Sequence, residues 1–145
     1  MKLLDVNILI HAHRTENPGH RFYHRWLVDM LEDDRVFLYC EWILAAFLRI
    51  VTRAGIYRDP TPLPTALEFV ETIRSRPTGT AVMPGARHWS IFTDLCARPG
   101  VVGKLIPDAY LAALAIEANA EWVTSDSDFE RFGSDLDLTL LRPPV

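Results

Sequence analysis

Aspartates at three separate places in the chain have the residue type and the setting for metal chemistry. Asp5 ends the apolar run KLLD, Asp108 opens the segment PDAYLAAL, and Asp126 and Asp128 follow the run EWVT. Carboxylates gathered at one site repel one another, and one takes up a proton unless a cation lies between them. Mg²⁺ prefers oxygen ligands and keeps waters that can serve a phosphate substrate. If these aspartates meet in space, they predict metal-assisted hydrolysis of a phosphodiester.

Each aspartate also has an alternative explanation that involves no metal. An aspartate at the start of a helix accepts hydrogen bonds from free backbone N–H groups and suits the helix dipole. Capping of this kind would account for Asp108, and Asp126 could cap a short helix that follows it. Asp5 is harder to explain in this way, because it interrupts an apolar passage where an ionised group must be paired or metal-bound.

Other residues offer fewer routes to chemistry. No serine, histidine and aspartate form a convincing nucleophilic arrangement, and Cys40 and Cys96 form no metal motif, so two buried, reduced thiols are expected. His20 and His24 have the spacing of a zinc pair on one helix face but lack a third ligand. The histidines around them, with Arg14, Arg21 and Arg25, form the most basic stretch, which is either a solvated face or a track for an RNA backbone. Arg49 and Arg53 are surface charges or phosphate contacts.

The pattern of apolar residues predicts strands that alternate with helices. Such alternation indicates a parallel sheet with helices on both faces, and in such sheets ligands bind at the carboxyl ends of the strands. Asp5 and Asp126 are both expected at strand carboxyl ends, so they can converge. The predicted strands are Lys2–Asp5, Val36–Tyr39, Thr80–Met83, Glu121–Thr124 and Leu138–Leu141. The predicted helices are Asn7–His13, His20–Glu32, Glu41–Thr52, Ala66–Arg74, His88–Ala97, Pro107–Asn119 and Asp128–Phe132, and the four tryptophans are expected in the core.

Size and composition are those of a globular protein. With 145 residues, 49% apolar and 23% charged, the chain is expected to form one domain spanning residues 1–145. No stretch approaches a membrane span, and an acidic residue comes too early for a signal peptide, so a cytoplasmic protein is expected. The net charge of −4 argues against non-specific coating of nucleic acid, but it is compatible with a nuclease whose acids are gathered in a metal site.

Four segments, in order along almost the whole chain, resemble the PIN-domain ribonucleases and, more closely, the VapC toxins of mycobacterial type. They are LLDVNILIHAHR, LAAFLRIVT, LIPDAYLAALAIE and TSDSDFERF, and the tripeptide RHW before the fifth helix also fits. The resemblance implies a three-layer α/β/α fold with a parallel sheet in the order 3-2-1-4-5. It also implies cleavage of single-stranded or looped RNA with Mg²⁺ or Mn²⁺, a homodimer, and a cognate VapB-like antitoxin whose basic C-terminal segment occupies the acidic cleft.

The same resemblance implies roles for individual residues. Asp5, Asp108 and Asp126 would be direct metal ligands and catalytic residues, Asp128 would assist, and Asn7 would steady the first aspartate. One position departs from the family, since a glutamate that PIN nucleases commonly carry in the third helix is Ala46 here. Glu41, the only carboxylate in that helix, lies about 140° around the helix from Ala46, so it is a poor substitute.

Two other functions remain open on the sequence alone. A phosphotransfer protein would also use aspartates and Mg²⁺, but a phosphatase of the haloacid dehalogenase type needs an aspartate where Asn7 stands, and a receiver needs a phosphoacceptor where Met83 stands. A PIN fold that has lost its catalytic site would act as a binding module, and Ala46 is the residue that favours this possibility.

Overall fold

The computed structural model describes residues 1–145 and contains one five-stranded sheet in the order β3-β2-β1-β4-β5. Every neighbouring pair of strands is parallel. The α/β class and the strand order expected from the resemblance are therefore confirmed. The strands are β1 (Lys2–Leu4), β2 (Phe37–Tyr39), β3 (Gly79–Ala81), β4 (Glu121–Thr124) and β5 (Leu138–Leu140).

Six α-helices and one 3₁₀ helix connect the strands. The helices are α1 (Val6–His13), α2 (His20–Glu32), α3 (Glu41–Val51), α4 (Leu63–Arg74), α5 (His88–Cys96) and α6 (Leu105–Glu117), and the 3₁₀ helix spans Ser127–Phe132. No helix combines the length and the apolar character needed to cross a bilayer.

Both faces of the central strands are covered by helices. Leu3 and Leu4 point to opposite faces of β1, and both are at most 7% exposed. In β4, Trp122, Val123 and Thr124 are completely buried. Strands buried on both faces read as continuous apolar runs, which is why the sequence of β1 and β4 lacks the alternation of a half-exposed strand.

Helix α6 packs closely on the sheet because small residues form its buried face. Ala109, Ala112, Ala113 and Ala115 are all fully buried. The helix begins at Leu105, two residues earlier than predicted. Pro107 lies inside its first turn, where a missing N–H costs nothing because the first N–H groups of a helix have no partner within it. This shift moves Asp108 away from the capping position.

Two of the tryptophans predicted in the core are instead on the surface. Trp42 is 74% exposed and Trp89 is 67% exposed, whereas Trp122 is fully buried. The periodicity that places Ile43, Leu44 and Phe47 in the core leaves Trp42 at the outer side of the first turn of α3. Cys40 is buried as expected, but Cys96 is only half-buried.

Candidate metal centre

The order of the strands creates a crevice between β1 and β4. From β1 the chain builds the sheet first on one side, through β2 and β3, and then returns to add β4 and β5 on the other side. Ligands of open parallel sheets bind at such a switch point, beyond the carboxyl ends of the strands. Asp5 directly follows β1 and Asp126 follows β4 by two residues, so the fold brings them to the same edge as the sequence predicted.

Three aspartates meet at this edge. One carboxylate oxygen from each of Asp108, Asp126 and Asp128 lies within 4.8 Å of the others, and all three side chains are half-buried. Asp108 comes from the first turn of α6, Asp126 from the turn after β4, and Asp128 from the 3₁₀ helix. Residues that are distant in sequence are thus assembled into one group of oxygen ligands.

Asp5 is not one of these clustered aspartates, but it lies near enough to Asp108 and Asp126 for their charges to raise its pKa, and it is held by three hydrogen bonds. Its Oδ1 accepts from the backbone N–H of Val6 at 2.7 Å, and its Oδ2 accepts from the Thr124 hydroxyl at 2.7 Å and from the Asn7 amide at 3.0 Å. Only 5% of the residue is exposed. The carboxylate therefore has one fixed orientation. The hydrogen bond from Asn7 is the contact through which Asn7 would steady Asp5.

Thr124 is a residue that sequence reasoning missed. Its hydroxyl donates to Asp5 and accepts from the backbone N–H of Asp126 at 3.0 Å and from the Asn7 amide at 3.1 Å. It thereby joins the aspartate after β1 to the one after β4. A fully buried threonine at the end of a strand looks like ordinary strand composition, and only its position before Ser125-Asp126 hinted at a role.

Two carboxyl groups of the centre have strongly raised pKa values. Burial, opposed by the hydrogen bonds from Thr124 and Val6 and assisted by the charges of Asp108 and Asp126, raises the pKa of Asp5 to about 6. Burial and the charges of Asp126 and Asp128 raise the pKa of Asp108 to about 6, against the opposing charge of Lys104. The aspartates are therefore close enough to repel one another.

A divalent cation fits this set of donors. All four side chains offer carboxylate oxygens, which are the ligands that Mg²⁺ and Mn²⁺ prefer, and none offers the sulfur or imidazole of a typical zinc site. Burial and the charges of neighbouring aspartates raise the pKa values, so positive charge would stabilise the ionised site. An ammonium group already lies beside it, since Nζ of Lys104 is 3.3 Å from Oδ2 of Asp128. The acidic cluster therefore attracts cations.

The capping explanation holds for some of the aspartates only. Asp5 caps α1 through Val6, and Asp126 accepts from the backbone N–H of Asp128 at 2.9 Å. The proposal that capping explains Asp108 is wrong, because α6 begins at Leu105 and no side chain caps it. Asp108 therefore lies in the cluster without a structural hydrogen bond to account for it.

Glu41 does not take the place of the missing glutamate. Its carboxylate forms an ion pair with Arg74 on α4 at 2.9 Å, and it is not part of the cluster of ligands. The zinc hypothesis for His20 and His24 also fails, because no third ligating side chain joins them. Asn7 donates its amide hydrogens to Asp5 and Thr124, and an amide cannot serve as the general acid that the phosphatase alternative requires.

Comparison with known proteins identifies the family of the chain. The family model of the PIN domain matches residues 2–134. The chain is 38% identical over 145 residues to ribonuclease VapC25 of Mycobacterium tuberculosis, with all of both chains covered. It is equally similar to ribonuclease VapC31 of the same species. It is 36% identical over 132 residues to VapC ribonuclease Mb2897 of Mycobacterium bovis, covering 91% of this chain and 90% of the relative.

Solved structures with low sequence identity share the fold. VapBC2 from Rickettsia felis, bound to a DNA fragment from its promoter, aligns over 95% of this chain and 96% of its own with a TM-score of 0.67 and 19% identity. Mycobacterium tuberculosis VapC20, described as a sarcin-ricin loop cleaving toxin, aligns over 99% and 100% with a TM-score of 0.66 and 12% identity. With the family model and the full-length relatives, these findings establish that the chain belongs to the PIN domain family and, within it, to the VapC ribonucleases.

Proposed function

We propose that the protein is a Mg²⁺-dependent endoribonuclease that acts as the toxin of a toxin–antitoxin pair, with Mn²⁺ as a possible substitute for Mg²⁺. The observation that carries the proposal is the group formed by Asp108, Asp126 and Asp128, with the buried Asp5 close enough to be affected by their charges. The relatives that cover the whole chain are named ribonucleases, which supports RNA as the substrate.

The aspartates of the centre would contribute to cation binding in different ways. Asp108, Asp126 and Asp128 each supply a carboxylate oxygen to the same small volume. In Asp5, Oδ2 accepts two hydrogen bonds and Oδ1 accepts one, so its carboxylate would add fixed negative charge near the cation held by the other three aspartates. A bound divalent cation would lower the pKa of water and stabilise the charge that develops on a phosphodiester.

The products expected from this arrangement are RNA fragments with 5′-phosphate and 3′-hydroxyl ends. They follow if a water activated by the bound cation, rather than the ribose 2′-hydroxyl, attacks the phosphorus. Half-buried aspartates at the open edge of a sheet suit a single-stranded or looped RNA, whose backbone can reach them.

We expect Asp5→Asn and Asp108→Asn to lose cleavage while the fold is kept. Each change removes a carboxylate charge but preserves shape, and it also removes repulsion within the cluster. The rate should fall by more than about 100-fold, since losing even an indirect partner of a metal costs 10–100-fold. The measurement is mapping of new 5′-phosphate ends in total bacterial RNA incubated with Mg²⁺, with circular dichroism to check folding.

Asp94→Asn, on the exposed side of α5, is the matched control and should cut like the parent. Parent-like cutting by Asp5→Asn or Asp108→Asn would refute the metal assignment.

Stabilisation by Mg²⁺ should depend on pH. The pKa of Asp5 is about 6 in the folded protein and 3.8 ordinarily, so the folded state binds the proton more tightly than the unfolded state. Without metal, the free energy of unfolding therefore falls as the pH rises from about 4 to about 6, by on the order of 3 kcal/mol for this group. Mg²⁺ needs the ionised carboxylates, so it should raise the unfolding free energy more at about pH 7.5 than at about pH 5. Urea unfolding with and without Mg²⁺ measures the increment. Equal increments at both pH values, or an undiminished increment in Asp108→Asn, would contradict the prediction.

We also propose that a basic segment of a cognate VapB-like antitoxin occupies the acidic cluster in place of the cation. Neighbours in fold include complexes named VapBC, which supports a partner of this kind. The contact between Lys104 and Asp128 is an internal example of a cationic side chain beside the cluster.

Competition between Mg²⁺ and arginine side chains tests this countercharge role. A triarginine peptide should weaken the apparent affinity of the protein for Mg²⁺ in calorimetry, in proportion to the peptide concentration, because both neutralise the same carboxylates. A triglutamine peptide is the control and should change nothing. Unchanged Mg²⁺ affinity at saturating triarginine would show that cation and basic segment do not share a site.

We further propose that two copies of the chain form a homodimer through an aromatic face on α3, α5 and α6. Trp42 and Trp89 are exposed, and the ring of Trp89 lies 5.2 Å from that of Phe92. Trp42 and Phe92 line one apolar groove together with Ile106, Pro107, Tyr110 and Leu111. An exposed apolar surface with several aromatic side chains is typical of a protein interface.

Replacement of one tryptophan should separate the copies. We expect light scattering to give a dimer for the parent and a monomer for Trp42→Asp at the same concentration. A buried tryptophan at the centre of an interface contributes 2 kcal/mol or more, so the dissociation constant should rise by at least about 30-fold. Val36→Asp, on an exposed apolar residue before β2, is the control and should remain dimeric. A monomeric parent or a dimeric Trp42→Asp would refute this interface.

A further inference from the structure

An acidic cluster on a chain with a net charge of −4 poses a problem for binding RNA. A cation neutralises the cluster at the point of cleavage, but the phosphates on either side of that point still meet a negatively charged protein. Affinity for nucleic acid comes mainly from basic side chains that contact phosphates. Cations close to the cluster, but outside it, are therefore needed.

A chain of contacts leads from the cluster to the start of α2. Ser125, next to Asp126, has its hydroxyl 3.4 Å from Nε2 of His11. The backbone carbonyl of His11 is 3.0 Å from Nδ1 of His20, and the ring of His20 lies 5.6 Å from that of His24. Ser125, His11 and His20 are half-buried and His24 is exposed, so the path emerges on the surface.

The end of the sheet also ties the start of α2 to the centre. The hydroxyl of Tyr23 donates to the carbonyl of Leu141 at 3.0 Å, and the backbone N–H of Leu141 donates to the carbonyl of Thr124 at 2.8 Å. Arg142, the next residue, is close enough to Tyr23 for its charge to lower the pKa of that phenol, although burial raises the pKa overall. Arg142 is exposed. The first turns of α2 thus flank the carboxyl edge of β4 and β5.

Charges on the exposed side of α2 are separated along its length. Arg21, His24 and Arg25 occupy the first two turns, whereas Asp29 and Glu32 occupy the last turn. The acidic end lies at the opposite edge of the sheet, where Asp29 lines a groove with Met1 and Lys2. Only the basic end is near the cluster.

The position of the basic residues at the N-terminal end of α2 does not stabilise the helix. Basic groups near the N-terminus of a helix oppose its dipole, and each costs a few tenths of a kcal/mol or more in an isolated helix. Arg21 lies in the first turn and bears this cost, and neither Arg21 nor Arg25 in the second turn has a carboxylate within 4.0 Å. A contribution to folding therefore does not explain why these cations lie at this end.

We infer that Arg21, His24, Arg25 and Arg142 form a basic surface along which the RNA backbone runs as it leaves the acidic cluster. This inference rests on the proposed ribonuclease function. RNA is favoured over an acidic protein because the surface is continuous, through His11 and Ser125, with the place where a phosphodiester must lie. The contacts are to phosphates, so they add affinity without selecting a base sequence.

The salt dependence of RNA binding tests the basic surface. All variants carry Asp108→Asn to prevent cleavage, and a fluorescein-labelled RNA stem–loop is titrated by anisotropy in Mg²⁺ over a range of salt concentrations. Arg21→Gln/Arg25→Gln should make the slope of log affinity against log salt concentration shallower by about 1.4, because each of the two lost phosphate contacts contributes about 0.7. The same variant should bind the RNA roughly tenfold more weakly at moderate salt. Lys2→Gln/Arg35→Gln is the control, because it removes the same charge at the opposite edge of the sheet and should leave the slope unchanged.

The outcomes separate the basic surface from the function on which it rests. An unchanged slope in Arg21→Gln/Arg25→Gln, or an equal loss in Lys2→Gln/Arg35→Gln, would overturn the basic surface while the ribonuclease proposal stands. Absence of RNA cleavage by the unsubstituted chain in Mg²⁺ would count against the ribonuclease proposal and this inference together. If Arg21→Gln/Arg25→Gln loses affinity for polyglutamate but keeps the RNA slope, the surface binds an acidic protein and the inference is wrong.

Discussion

The burial of several neighbouring carboxylates at one edge of the sheet is the constraint on which the candidate site depends. A parallel sheet with a change of direction between β1 and β4 brings the residues after those strands together, whatever their charge. Here they are Asp5 and Asp126, with Asp108 beside them, and the pKa values of Asp5 and Asp108 rise to about 6. Near neutral pH these groups are ionised only at a cost in stability. Under the proposed function, a cation supplied from outside would offset this cost.

The hydrogen bonds around Thr124 hold the carboxylate of Asp5 in place despite its repulsion by the other aspartates. If the carboxylate of Asp5 could turn freely, it would move away from the other aspartates and the strain would be relieved without a metal. The Thr124 hydroxyl and the Asn7 amide hold Oδ2, and the Val6 N–H holds Oδ1. Because Thr124 also accepts from the backbone of Asp126, the two sides of the crevice are fixed relative to each other. The site is therefore organised before a ligand arrives, which reduces the entropic cost of binding.

Much of this arrangement follows from local patterns in the sequence, and the parts that do not are pairings between distant residues. The apolar runs predict β1 and β4, and an aspartate after each run predicts Asp5 and Asp126 at a common edge. By contrast, the contact of Lys104 with Asp128 and that of Glu41 with Arg74 depend on how whole helices pack, and no spacing rule reveals them. The strand order was predictable only through the resemblance to a family. The exposure of Trp42 was mispredicted because an aromatic residue at the start of a buried helix is usually in the core.

Ala46 stands in α3 where the family commonly has a glutamate, so the acidic site is built without a carboxylate at that position. A carboxylate from α3 would come from the β2 side of the crevice, but Glu41 is committed to Arg74 on α4. On the other side of the crevice, Asp128 stands within 4.8 Å of Asp108 and Asp126. No glutamate of α3 joins these aspartates, so the site has fewer acidic ligands than the family commonly has, and their charge is concentrated on the side of β4. Ser125 leads from that same side to His11 and α2. Under the two proposals, the cation and the RNA would both lie towards β4, on the side that carries the three clustered aspartates and the contact of Ser125 with His11.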